Sequence, residues 1–125
     1  MCNKKFIPEE NCELFWIHLT PGQQSTVILR FNAFTISSDG VHHNLNYSEY
    51  CIQSANISGT ITVSSYQLVY SQFFSDNVNV YIFDSDLGNN NHSFSLYWDT
   101  DWIPPIGGIV FYEIESFGGP IVNLF

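Results

Sequence analysis

The stretch Ser93-Phe-Ser-Leu-Tyr-Trp98 alternates strictly, with Phe94, Leu96 and Trp98 in one phase and Ser93, Ser95 and Tyr97 in the other. A period of two puts these sets on opposite faces of an extended chain, one apolar and one polar, which is the pattern of a half-buried β-strand. The alternation breaks at Asp99-Thr-Asp-Trp-Ile-Pro-Pro105, where a loop must begin. The same logic runs through Ile57 to Val63, read as one strand with Ile57, Gly59, Ile61 and Val63 inward, and through Asn77 to Phe83, with Val78, Val80 and Ile82 inward. Leu14 to Leu19, Thr26 to Ile36, Gln67 to Phe74, Ile109 to Ile114 and Ile121 to Phe125 complete about eight strands. Turn signals at Pro21-Gly22, Ser38-Asp39-Gly40, Ser75-Asp76-Asn77, Gly88-Asn-Asn-Asn91, Pro104 to Gly108 and Phe117-Gly-Gly-Pro120 separate them. Short strands at close spacing with no helical period predict an all-β fold, an antiparallel two-sheet β-sandwich formed by residues 1–125 as a single domain. Residues 1–11 read as a polar N-terminal arm and His42 to Glu49 as an irregular insertion. The expected core is Ile57, Ile61, Val63, Val78, Val80, Ile82, Phe94, Leu96 and Trp98.

Composition agrees with this fold class. Only Ala33 and Ala55 are alanine, whereas Val, Ile, Thr, Tyr, Phe and Trp exceed a third of the chain. Twelve acidic residues face Lys4, Lys5 and Arg30, a formal net charge of −9. Phosphate backbones are held by Lys and Arg stripes, so nucleic acid is excluded as a natural partner, and a predominantly anionic lipid surface is disfavoured for the same reason. Cys2, Cys12 and Cys51 are an odd count that cannot pair completely within one chain. They are candidates for assembly or disulfide contacts, with Cys2 in the arm placed best for an intermolecular bond. No apolar run of signal-peptide length follows the basic start. The expected location is therefore cytoplasmic, or released to act at a membrane or cell surface. The sequons at Asn46, Asn56 and Asn91 carry little weight in a chain with twelve Asn.

Tyr97 lies on the polar phase and Trp102 in a Pro-flanked loop, so both rings are candidates for contact at a ligand or membrane rim. Trp98, in phase with Phe94 and Leu96, reads first as core. Asp84, Asp86, Asp99 and Asp101 form two Asp-x-Asp pairs, read as solvated loop carboxylates because no calcium-binding loop accompanies them. His18, His42, His43 and His92 do not fall at zinc-ligand spacing with the cysteines. No Gly-x-Ser-x-Gly, Cys-His or phosphate-cradling motif occurs, and the chain reads as a non-enzyme without metal or cofactor.

The Gly59-Thr-Ile61 segment, Phe83-Asp-Ser-Asp86, Leu96-Tyr-Trp-Asp-Thr-Asp-Trp102, and Tyr112-Glu-Ile114 with Gly118-Gly119 together resemble the aegerolysins, small acidic β-sandwich proteins of actinoporin-like cytolysin type. They also resemble the small component of binary insecticidal toxins. The resemblance covers roughly residues 57–119, with Thr100 and Asp101 standing where aegerolysins typically have Cys-Pro. It implies a non-enzymatic membrane-lipid-binding protein that recruits a larger pore-forming partner. The compatible chemistry is capture of a zwitterionic headgroup, whose cation an aromatic face and a carboxylate hold, by Tyr97, Trp98, Asp99, Asp101 and Trp102. The competing expectation is a structural subunit of a β-sandwich fibre or other homo-oligomeric assembly, linked through the N-terminal cysteine arm.

Overall fold

The computed structural model describes residues 2–6, 11–37, 39–73, 78–100, 105–119 and 121–125. Within them lie nine strands: β1 (Cys2–Phe6), β2 (Cys12–His18), β3 (Gln24–Ser37), β4 (His43–Ile57), β5 (Thr60–Phe73), β6 (Val78–Gly88), β7 (Asn91–Thr100), β8 (Pro105–Phe117) and β9 (Ile121–Leu124). All pairings are antiparallel. One sheet has the order β1-β8-β3-β4-β5 and the other β6-β7-β2-β9, so the chain is the expected all-β two-sheet sandwich.

The core lies where the inward phases of the two sheets meet. Phe94, Leu96 and Trp98 from β7 and Phe15 and Ile17 from β2 face Val27, Leu29, Phe31 and Ala33 from β3 and Val110 and Tyr112 from β8. Phe15 and Phe94 stack with ring centroids 4.8 Å apart. The Tyr112 hydroxyl donates to the Leu14 carbonyl at 3.0 Å, so the polar tip of a buried ring ties one sheet to the other. Ile61, Val63, Val80 and Ile82 are partly buried against this core. The phase expected for β6 and β7 therefore stands, and the side chain of Val78 lies outside what is described.

Three expectations change. Ile57 to Val63 is not one strand: Ser58 and Gly59 both have positive φ, 56° and 93°, and form a two-residue turn joining β4 to β5. Positive φ at both central positions is the signature of the primed turn that matches strand twist, so the chain reverses there. Ile57, opposite Thr60 at the turn, is 66% exposed rather than core. Residues 43–49 of the expected insertion belong to β4, whose inward phase at this end is Asn44, Asn46 and Ser48, all buried. The segment read as an arm supplies β1, which pairs with β8 from Cys2↔Tyr112 to Phe6↔Gly108.

Candidate functional site

The expected aromatic rim is divided by the strand phase. Trp98 is fully buried, which removes its ring from any surface that a headgroup can touch. Its assignment to lipid contact fails for a geometric reason: it follows Phe94 and Leu96 inward. Tyr97 points outward and is half-buried, and its ring lies against Tyr81 on the neighbouring strand at 5.1 Å between centroids. Tyr81 had no part in the expected site, although its place opposite Tyr97 on the β6–β7 hairpin makes it the ring's cross-strand partner. Loss of hydration pushes the Tyr81 phenol above its usual range, and Tyr97 and Asp99 push in the same direction. Asp99 is exposed beside this pair. Asp101 and Trp102 lie outside the described residues.

Two of the three cysteines are enclosed. Cys12 and Cys51 are both buried, Cys12 in the core and Cys51 on the outer phase of β4 opposite Tyr66, on different sheets. Cys2 lies on β1 with its side chain outside the described set. Asn46 and Asn56 are both buried, which removes two of the three sequons from the reach of any modifying enzyme in the folded state. Among the described residues no three His, Cys, Asp or Glu side chains converge as metal ligands. Asp84 and His92 form a pair at 2.7 Å and His18 bonds Asn91 at 2.7 Å, so these groups act in strand-to-strand contacts.

A different surface stands out once the strand order is known. β5 forms one edge of the five-stranded sheet over 14 residues, Thr60-Ile-Thr-Val-Ser-Ser-Tyr-Gln-Leu-Val-Tyr-Ser-Gln-Phe73. An edge strand presents a row of backbone N–H and C=O groups open to another chain, and natural edges are usually blunted by charge, proline or brevity. β5 has no charged residue and no proline. Its side chains are largely exposed, including Tyr66 at 47%, Leu68 at 53% and Tyr70 at 54%. The other edges are protected: β1 spans five residues with Lys4 and Lys5, β6 carries Asp84 and Asp86, and β9 spans four residues.

The outer face beside β5 adds to this surface. Phe111, Asn32, Tyr47 and Ser71 form one cross-strand row on it, and Phe111 and Tyr47 are exposed. The adjacent row is Glu113, Arg30, Glu49 and Val69. Arg30 donates to Glu49 at 2.9 Å and sits 3.7 and 3.8 Å from Glu113 and Glu115. The bond to Glu49 raises the Arg30 pKa above its ordinary value against the opposing effect of desolvation, and the neighbouring carboxylates add to the rise. The single arginine of the chain therefore offsets part of the acidic cluster next to β5.

No family model matches this chain, and no curated protein matches it. A solved structure, the Acinetobacter baumannii phage AM24 tailspike protein, superposes with a TM-score of 0.61 at 6% sequence identity over 99% of this chain. The chain spans 28% of the length of that tailspike chain, and the likeness is one of fold.

Proposed function

We propose that this protein is a non-enzymatic structural subunit that associates with copies of itself into a β-sandwich assembly. The observation that carries the reading is the uncharged, unblunted edge of β5 on a body of net charge −9. Such a body repels its copies, and net charge of this size ordinarily keeps a protein monomeric. On this reading a long uncharged edge is retained against that background because it is covered in the working state. Of the cysteines, Cys2 remains the candidate for a covalent link between subunits, since Cys12 and Cys51 are buried. Native mass spectrometry and electron microscopy over a range of concentrations test the reading. Defined oligomers, rings or fibres are expected, and isolated monomers at every concentration would overturn it.

A second reading, membrane-lipid binding of the aegerolysin kind with a larger pore-forming partner, is favoured by one observation, the Tyr81–Tyr97 pair beside exposed Asp99. The binding surface is then Tyr97, Tyr81 and Asp99 with Asp101 and Trp102, without Trp98. Apolar and cation–aromatic contacts carry the affinity, because the net charge has the wrong sign for anionic headgroups. Binding to neutral vesicles is expected to survive high salt and to weaken when anionic lipid is added. Trp102→Ala is expected to cost about 1 to 3 kcal/mol of binding, the range for a large side chain leaving an apolar environment. Failure of the parent protein to bind any neutral vesicle would dismiss this reading.

A further inference from the structure

We infer that a small cluster of ordered water molecules is bound between the two sheets, held by Thr35, Asn44 and Asn46. These side chains share the inward face where β3 and β4 run together: Thr35 stands opposite Asn44, and Asn46 lies two residues further along β4, opposite Ala33. Each is at most 1% exposed. Thr35 Oγ1, both amide atoms of Asn44 and Asn46 Nδ2 have no hydrogen-bond partner among the described residues. A buried polar group without a partner has given up its bonds to solvent for nothing, which is why native interiors satisfy nearly all such groups with protein or with ordered water. Four of them on one patch, in side chains that stand next to each other yet do not bond, mark a site for a bridging molecule. The patch faces inward, so it is independent of both functional readings.

Donors and acceptors decide what that molecule is. Gln67 Nε2 donates to Ser48 Oγ at 3.2 Å, and the Ser48 hydroxyl donates in turn to Asn46 Oδ1 at 2.8 Å. The Asn46 amide is thereby fixed with its NH2 group turned away from Ser48. The unpartnered set is mixed: N–H donors from Asn44 and Asn46, an acceptor in Asn44 Oδ1, and the Thr35 hydroxyl, which serves as either. A metal cation needs oxygen ligands, about six to eight of them for calcium. Among the described residues the patch has two unpartnered oxygens, Asn44 Oδ1 and Thr35 Oγ1, and no inward position of β3 or β4 holds a carboxylate. An anion would take the N–H groups, leave Asn44 Oδ1 unpaired and enter a body of net charge −9. Water both donates and accepts, so it meets every atom of the set. Buried waters make about three hydrogen bonds each, so the set calls for about two of them. The neighbours leave room, since Gly108 stands opposite Thr35 and Ala33 opposite Asn46, whereas the row beyond Ala33 holds the rings of Phe31 and Tyr112.

The test is nuclear magnetic resonance of the full, unaltered chain with the side-chain amides of Asn44 and Asn46 as probes. A water held longer than the molecule takes to tumble gives nuclear Overhauser effects of opposite sign in the laboratory and rotating frames, and such signals from water are expected at both NH2 groups. At Asn44 they should persist in Thr35→Val, which removes the neighbouring hydroxyl as a route for proton exchange. Asn44→Leu gives a second reading, because its sign differs between a dry and a hydrated patch. Neither amide atom of Asn44 has a partner among the described residues, so in a dry patch the substitution removes an unsatisfied group and the melting temperature rises. In a hydrated patch the waters lose partners and leave Thr35 and Asn46 short of theirs, and the melting temperature is expected to fall by about 4 °C or more. Absence of the water signals at either amide of the parent, or an unchanged or higher melting temperature for Asn44→Leu, would overturn the inference.

Discussion

Trp98→Ala is expected to lower the folding stability by about 3 to 5 kcal/mol, the range for removing a large aromatic side chain from a closed core. The indole has no exposed surface and shares its face of β7 with Leu96 and Phe94, while Val80 lies opposite it on β6. Truncation gives up the hydrophobic transfer of the whole ring and leaves a cavity that two hydrogen-bonded sheets cannot fully collapse. Single domains are typically stable by only about 5 to 15 kcal/mol, so the loss is a large share of the total. The neighbouring change Tyr97→Ala, one step along the same strand but on the outer face, should cost only about 1 kcal/mol. Urea denaturation of the pair makes the comparison. Equal costs at the two positions, or a loss under about 1 kcal/mol at Trp98, would mean that the inward phase of β7 is misplaced.

Asn56→Ala is expected to cost about 2 to 4 kcal/mol, large for a polar residue, because it strands buried groups that the side chain now satisfies. Asn56 is 1% exposed at the end of β4. Its Nδ2 donates to the Leu19 carbonyl at 2.6 Å and to Asn90 Oδ1 at 3.1 Å, and its Oδ1 accepts from the Gly59 amide at 2.9 Å. The backbone amide of Asn56 donates to Gln23, and its carbonyl accepts from Gly22. One residue thus fastens the β4–β5 turn to the β2–β3 connection and to the β6–β7 turn. Alanine supplies neither donor nor acceptor, leaving the Leu19 carbonyl and the Gly59 amide without these bonds. Thermal melts should show the loss, and hydrogen exchange should show earlier opening at the three connections. A change within about 0.5 kcal/mol would show that water replaces the side chain at no cost.

Much of the fold is legible locally. Alternation at Phe94, Leu96 and Trp98 marks the inward face of β7, and consecutive Asn89 and Asn90, both with positive φ, are the residues that a tight hairpin turn uses. The β4–β5 reversal is harder to see, because Ser58 and Gly59 continue the polar–apolar rhythm that the turn in fact interrupts. β4 is obscured for another reason. Its inward phase includes Asn44, Asn46, Ser48, Ser54 and Asn56, and a strand whose polar residues face inward has no apolar stripe to read. The candidate site divides in the same way. Tyr97 is recognisable as a surface residue from its phase and Asp99 from its charge, although Asp99 continues β7 rather than opening a loop, while Tyr81 becomes their neighbour only through the Tyr81↔Tyr97 register.

The chain alone determined the all-β class and the inward phase of β6 and β7, because a side chain's face along a strand is set by the local alternation of Cβ atoms. It also displayed fourteen consecutive residues, Thr60 to Phe73, without a charge. What that run means was decided only by tertiary structure. A strand buried between two neighbours and a strand at the rim of a sheet can have the same local sequence, and they differ in whether one side of the backbone ladder has a partner. That difference follows from pairings between residues far apart in the chain: β3, β4 and β5 stay together, the chain then crosses to the opposite sheet for β6, and among the described residues no strand pairs with the other side of β5.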